Sequence, residues 1–274
     1  MNKIAVIGMV GNSAFLSVPE FHKAGETVAA TGIHFEPGGK GFNQAVAAAR
    51  FGAEVSFLGA VGTECYEEIK AFLEKDGIRP VLTRKNEPTA YAAILTDANG
   101  SNQVTVYQGA QLAVEDVEAY ASYIAEADIL LLNNEVPTAV NVRAVEIAKI
   151  HQTRVILNPA PARPLADEIL EGVELFTPNE HELTGLESCR NVVVTLGAKG
   201  CLLKQTGQII PAQKQEKVVD TTGAGDTFNG VLAARLAAGE NLRSAVEIAT
   251  AAAGLSVTRP YAATAIPYAS ELSG

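Results

Sequence analysis

Cysteine is scarce in this chain: Cys65, Cys189 and Cys201 are the three present in 274 residues, far apart and without Cys-x-x-Cys spacing. That excludes a disulfide framework and a cysteine-based zinc site, and it predicts reduced thiols in a cytoplasmic protein. Positive charge is also short, with 21 Lys and Arg against 31 Asp and Glu. Nucleic acid and membrane are therefore not expected as partners, and an anionic ligand must be held by local devices. No apolar run approaches the ~20 residues of a membrane-spanning helix. The apolar start Ile4–Ile7 is too short for a signal segment and runs into Gly8, so it reads as a first strand. No Gly-x-Gly-x-x-Gly follows that strand, which argues against a dinucleotide-dependent oxidoreductase, and no Walker A loop exists anywhere. Repeats, low-complexity stretches and linkers are missing too. With 47% apolar and 19% charged residues, 1–274 is expected to be one domain with a large core.

What is present alternates. Strands are predicted at Lys3–Gly8, Glu54–Gly59, Asp128–Leu132, Arg154–Leu157, Leu175–Thr177 and Asn191–Thr195. Helical patterns fall at Asn43–Phe51, Tyr66–Lys75, Val140–Ile150 and Glu180–Leu186. Short buried strands with helical crossovers imply an α/β fold: a doubly wound, mainly parallel sheet with helices on both faces. Ligands in such folds bind beyond the carboxyl ends of the strands. Two regions break the rhythm, Glu26–Phe35 and Thr89–Gln108, where residues alternate as in strands with no helix between. Asn99-Gly100 between Tyr91–Thr96 and Val104–Tyr107 is a hairpin signal. Strands within 14–37 and 89–108 are read as a small β-sheet lid, an antiparallel extension of the main sheet being the other reading. Lys199–Pro211, turning at Thr206-Gly207, is a further hairpin.

The most informative stretch is Asp220-Thr-Thr-Gly-Ala-Gly-Asp-Thr-Phe-Asn-Gly230. It puts Gly223, Gly225 and Asp226 at the first turn of a helix whose apolar face is predicted through Phe228, Val231, Leu232 and Leu236. The first N–H groups of a helix lack internal partners and carry the positive end of its dipole. Glycines let an anion approach them, so the segment reads as a phosphate cradle. An acid in an anion hole makes sense as a proton acceptor, which makes Asp226 the candidate general base. Taken alone, Gly-x-Gly-Asp is equally a tight turn with an Asp cap. A second stretch, Gly38-Gly39-Lys40-Gly41-Phe42-Asn43, offers close backbone approach and an amide to a hydroxylated ligand, though Asn43 alone can be a helix cap.

Together with Asn158-Pro-Ala-Pro-Ala-Arg163, Thr177-Pro-Asn-Glu180 and Thr195-Leu-Gly197, these motifs resemble, in order and over nearly the whole chain, the ribokinase-like carbohydrate kinase family. The resemblance implies transfer of the ATP γ-phosphoryl group to a hydroxyl of a sugar or nucleoside. It makes Asp226 the base and Gly223, Ala224 and Gly225 the anion hole. It assigns Gly11, Ser13, Gly39, Lys40, Asn43 and Glu135 to the sugar. Asn179, Thr195, Gly197, Gly200, Gly225 and Thr250 go to the nucleotide, Asn179 and Glu182 to Mg²⁺ through water. Asp220 and Thr222 match a monovalent-cation (K⁺) site that the segment Ser256–Ala265 would complete. A lid-to-lid homodimer is the expected assembly. A pentose or related sugar is the implied acceptor; a nucleoside or deoxyribose kinase and an inactive sugar-binding protein are the alternatives. The chain departs from the family where Gly-x-x-Asn-x-Asp is usual: Gly11 and Ser13 replace the two polar residues. Tyr261 stands where glycine is common, and the nine residues between Glu182 and Val192 leave no room for a helix usual there.

Overall fold

Burial alternates along the central strands in a way that demands cover on both faces. In Lys3–Ile7 (β1), Ile4 and Val6 enter one apolar cluster while Ala5 and Ile7 enter another. Side chains of a strand point to opposite faces in turn, so a strand apolar at every position must lie inside a sandwich of helices. The computed structural model describes residues 2–99 and 101–272. Its remaining strands are β2 (Gly11–Ser17), β3 (Gly32–Gly38), β4 (Glu54–Gly62), β5 (Arg79–Lys85), β6 (Ala90–Thr96), β7 (Asn102–Tyr107), β8 (Ile129–Asn133), β9 (Arg154–Asn158), β10 (Leu175–Phe176), β11 (Val193–Thr195), β12 (Cys201–Leu203) and β13 (Gln208–Ile210). The α-helices are α1 (Lys40–Arg50), α2 (Tyr66–Lys75), α3 (Val114–Ala119), α4 (Ala121–Glu126), α5 (Thr138–His151), α6 (Asp167–Gly172), α7 (Ala224–Ala237) and α8 (Leu242–Ser256).

Six strands form a parallel sheet in the order β10-β9-β8-β1-β4-β5. One face carries α1, α2, α7 and α8 over Phe42, Phe57, Val231 and Val246. The other carries α3 to α6 over Tyr120, Leu130, Val145 and Leu157. The fold is therefore doubly wound. A second, four-stranded sheet, β3-β2-β6-β7, joins two antiparallel pairs through a parallel one. The third sheet, β11-β12-β13, is antiparallel and meets the main sheet through the parallel bridge Phe176–Val192 at β10 and the bridge Asn179–Thr195 just beyond it. Among the described residues no helix is long and apolar enough to cross a membrane, and all three cysteines are free.

Several expectations need correction. Glu180–Leu186 is not a helix but a run of turns: Asn179 Oδ1 accepts the N–H groups of His181 and Glu182 as a helix cap would, but Gly185 takes φ +85°, a left-handed conformation that stops a helix from extending. The first helix begins at Lys40, since Gly39 O accepts the Asn43 N–H; Asn43 lies inside the first turn and does not cap it. Strand structure in the first irregular region starts only at Gly32. Strand β5 escapes notice because Pro80 and its charges suit an edge and not a buried run. The β6–β7 hairpin is present, although Gly100 of its turn lies outside the described residues.

Helix α7 also departs from its amphipathic pattern. Every residue from Asp226 to Ala234 is buried, because α1 packs on one flank and α8 on another. The α1–α7 approach is set at Gly230, where an added Cβ would lie 2.2 Å from Gln44 O and 2.6 Å from Ala47 Cβ. Gly230→Val should therefore overpack this seam and destabilise by roughly 1–3 kcal/mol, as overpacked cores do. Thermal unfolding checks it; a Tm equal to that of the unsubstituted chain would mean that the helices can separate freely.

Candidate active site

Helix α7 opens onto solvent with bare amides. Gly223 precedes it with φ +76°, a left-handed conformation that suits glycine, and the Ala224 N–H is taken by Thr221 O at 3.3 Å. Among the described residues no acceptor meets the N–H groups of Gly225 or Asp226. A Cβ on Gly225 would point into open space. This is a seat for an anion by geometry and by helix dipole. The Asp226 side chain, 6% exposed, sits beside it. Asp226 Oδ2 accepts from Asn43 Nδ2 at 3.0 Å, and Oδ1 from Gln44 Nε2 at 3.4 Å.

Asp226 faces a cavity of about 280 Å³ shared by the main and second sheets. Gly11, Ser13, Gly39, Lys40, Asn43 and Glu135 line it, so the structure brings together all the residues assigned to the sugar. Phe15, Ile94, Val104, Val106 and Ala262 supply an apolar wall. Asn43 Oδ1 is buried without a protein partner, as an atom awaiting a donor would be. Ser13 carries the only side-chain hydroxyl of β2 near the cavity, for the Asn12 amide turns away to donate to Cys65 Sγ at 3.2 Å.

Two charged groups meet at the mouth of α1. Glu135 follows β8, its N–H bonded to Asn133 Oδ1 at 2.9 Å, and its Oε2 accepts the Lys40 N–H at 2.6 Å. The Asn158–Arg163 run braces this loop: Ala160 O accepts the Asn134 N–H, and Arg163 donates to Val136 O. Burial pushes the Glu135 carboxyl up to about 7, against the pull of Lys40. The Lys40 ammonium is held above its ordinary range chiefly by Asp226, with burial opposing and Glu135 and Glu182 assisting.

Of the remaining assigned residues, Thr222 and Gly223 also line that cavity, and those of the nucleotide side lie outside it. Asn179 bridges to Thr195, and its side-chain amide and backbone N–H both donate to Glu182, at 2.8 and 2.9 Å. Gly197 and Gly200 bracket a tight turn in which Leu196 N–H donates to Gly200 O at 2.8 Å. Thr250 is buried in α8 with its hydroxyl 3.5 Å from Cys201 Sγ. Among the described residues no cluster of three His, Cys, Asp or Glu side chains stands ready for a metal. Asp220 accepts from Thr222 N and Oγ1 at 2.9 and 2.7 Å and from Tyr261 N at 3.1 Å.

Tyr261 adopts φ +73°, so it keeps the left-handed backbone that glycine would supply. That conformation costs ~1–2 kcal/mol. It is offset by stacking on His34 (3.7 Å between centroids, 14° between planes) and an edge contact with Phe15. Next to it Glu36 of β3 accepts from Ala262 N, Ala263 N, Thr264 N and Thr264 Oγ1, between 2.8 and 3.1 Å. Glu36 and Gln44 carried no expectation. Apart from His34 Nε2 at 3.4 Å, the partners of Glu36 lie more than 220 positions away, beyond any local pattern. Gln44 is one of four polar or charged residues of α1, with Lys40, Asn43 and Arg50, so its place in the sequence did not set it apart.

This combination of parallel sheet, overhanging second sheet and open helix mouth is that of an α/β kinase for small hydroxylated molecules. The chain belongs to the pfkB family of carbohydrate kinases, whose family model matches residues 1–269. It is 37% identical to a ribokinase of Bacillus subtilis over 94% of this chain and 93% of the relative. A Thermotoga maritima ribokinase structure superposes with a TM-score of 0.88 at 35% identity, covering 98% of this chain and 97% of the other. An Arabidopsis thaliana ribokinase, solved with ribose and ATP, gives 0.84 at 26% identity, with 98% and 97% covered.

Glu135 yields a pH prediction. Its folded pKa lies above the ordinary 4.5, so between 4.5 and about 7 the folded state keeps a proton that the unfolded state releases. Stability should therefore fall as pH rises through that window, by up to about 1.4 kcal/mol per unit. Urea unfolding at a series of pH values should show this slope reduced in Glu135→Gln; an identical slope would remove Glu135 as its source.

Proposed function

We propose that the chain transfers the γ-phosphoryl group of ATP to a hydroxymethyl group of a pentose or related sugar. The observation that carries this reading is the buried Asp226 carboxylate between the cavity and two amides without acceptors. Asp226 takes the proton of the acceptor hydroxyl as its oxygen bonds to phosphorus and the bond to the ADP oxygen breaks. In the anion-hole segment Gly223–Gly225 the Ala224 N–H is held by Thr221 O, and the free amides of Gly225 and Asp226 receive the charge of the transferring group, since phosphoryl transfer rests mainly on positioning and neutralisation. Lys40 adds a positive charge beside Asp226. Asn43, Glu135, Ser13 and the backbone at Gly11 and Gly39 bind and orient the sugar. Asn179, Thr195, Gly197, Gly200, Gly225 and Thr250 belong to the nucleotide side.

Asn179 and Glu182 offer oxygens suited to a hard cation reached through water, and Mg²⁺ there would shield the phosphates. Asp220 and Thr222, with three donors already on the carboxylate, leave it a free lone pair for K⁺. Residues 1–274 then work as one cytoplasmic kinase domain with the second sheet as its lid. The lid's outward face exposes Ile33, Phe35, Tyr91 and Tyr107, which suits a homodimer formed through the lids.

Coupled ADP release over a panel of pentoses, hexoses and nucleosides tests the reading. Turnover with a pentose is expected; sugar binding without any turnover would point to a binding protein. Asp226→Asn should fold, bind ATP and lose ~10²–10⁴ in kcat, and a near-normal rate would remove Asp226 from its role. The neutral Ser13 favours a second reading, an acceptor with one hydroxyl fewer, such as a deoxyribose or a nucleoside. Ser13→Asp should raise kcat/KM for ribose over 2-deoxyribose, and an unchanged ratio would mean that β2 does not read the acceptor.

A further inference from the structure

A second amide stands behind the proposed base. Gln44 follows Asn43 on α1 and is fully buried, but unlike Asn43 it does not line the cavity. A primary amide is costly to bury unless its hydrogens find acceptors. Gln44 Nε2 has two: Asn158 Oδ1 at 3.3 Å, at the end of β9, and Asp226 Oδ1 at 3.4 Å. Asn158 is held in turn, its Nδ2 donating to Thr177 O at 2.9 Å. Thr177 Oγ1 donates to Asn229 Oδ1, on the same helix as Asp226. A closed circuit of buried polar groups thus runs from Asp226 through Gln44, Asn158 and Thr177 back to α7.

We infer that Gln44 is a positioning residue, which fixes Oδ1 of Asp226 from behind so that Oδ2, beside Asn43, meets the acceptor hydroxyl. The inference rests on the assignment of Asp226 as the base. The terminal torsion of an aspartate is soft, so a carboxylate held from one side only can swing. Misplacing a reacting group by ~1 Å can cost about 10²-fold in rate. The charged groups facing Asp226 are Lys40 of α1 and Glu135 of the loop after β8, and neither is altered by the substitutions below.

Gln44→Met keeps the volume and removes the donor; Gln44→Glu keeps the shape and sets a second acid against Oδ1. Two carboxyls that close do not both ionise freely, so the pair takes up a proton at a pH where the native site does not. Expected for Gln44→Met is a kcat lowered about 10- to 100-fold with KM for ATP held within about twofold. For Gln44→Glu the acid limb of the kcat profile should move up by roughly one pH unit or more. A carbon-13 NMR titration of the Asp226 carboxyl, identified by its loss in Asp226→Asn, should show the same upward movement without any turnover. Native kcat, pH profile and carboxyl titration in both variants would overturn the inference. Should the native chain phosphorylate no acceptor, the functional reading fails separately, and an unmoved carboxyl titration in Gln44→Glu would still overturn the positioning. If neither variant folds, Asn158→Leu frees Gln44 from its second acceptor: a lowered kcat with KM for ATP held supports the positioning, and a native kcat overturns it.

Discussion

Two helices begin at the same cavity, and their close contact governs what happens there. Because position 230 has no side chain, α7 lies against the backbone of α1 near Gln44. That approach brings Asn43 and Gln44 onto the two oxygens of Asp226. It also aims two helix dipoles at one space. The mouth of α1 is filled from within by Glu135, whereas that of α7 is left open. One positive end is thus neutralised by the protein itself and the other kept for a ligand. A net acidic chain can in this way receive an anion without a basic surface.

Much of this was legible in the residues. The alternation of apolar strands and helical stretches predicts the parallel sheet, since full burial leaves no choice of face along β1 or β8. Gly223, Gly225 and Asp226 lie at a helix mouth, as their order implies. What escaped has a physical reason in each case. Edge strand β5 is half-solvated and carries mixed charge, so its pattern resembles a loop. The segment after Asn179 has helical composition and a capped start, but Gly185 takes φ +85° and cuts the run short. Gln44 and Glu36 matter through partners more than a hundred positions away, and no local window contains such information.

The departures from the family pattern fall into two kinds. At Tyr261 the side chain changes while the backbone conformation of glycine persists, supported by an imidazole stacked on the ring. At Ser13 the backbone remains a strand and the chemistry changes from an acid to a hydroxyl inside the cavity. The first kind preserves a shape at some internal cost. The second alters what the cavity can recognise.

Glu36 carries a mechanical implication. It belongs to the overhanging sheet, yet its carboxylate grips three successive backbone amides of the 262–264 loop, whose neighbour Tyr261 caps Asp220. Swinging that sheet means either breaking the whole grip at once or dragging the loop along. Four hydrogen bonds to one carboxylate tie the overhang to the loop that meets Asp220, so a tilt of the sheet would carry over to the oxygens there.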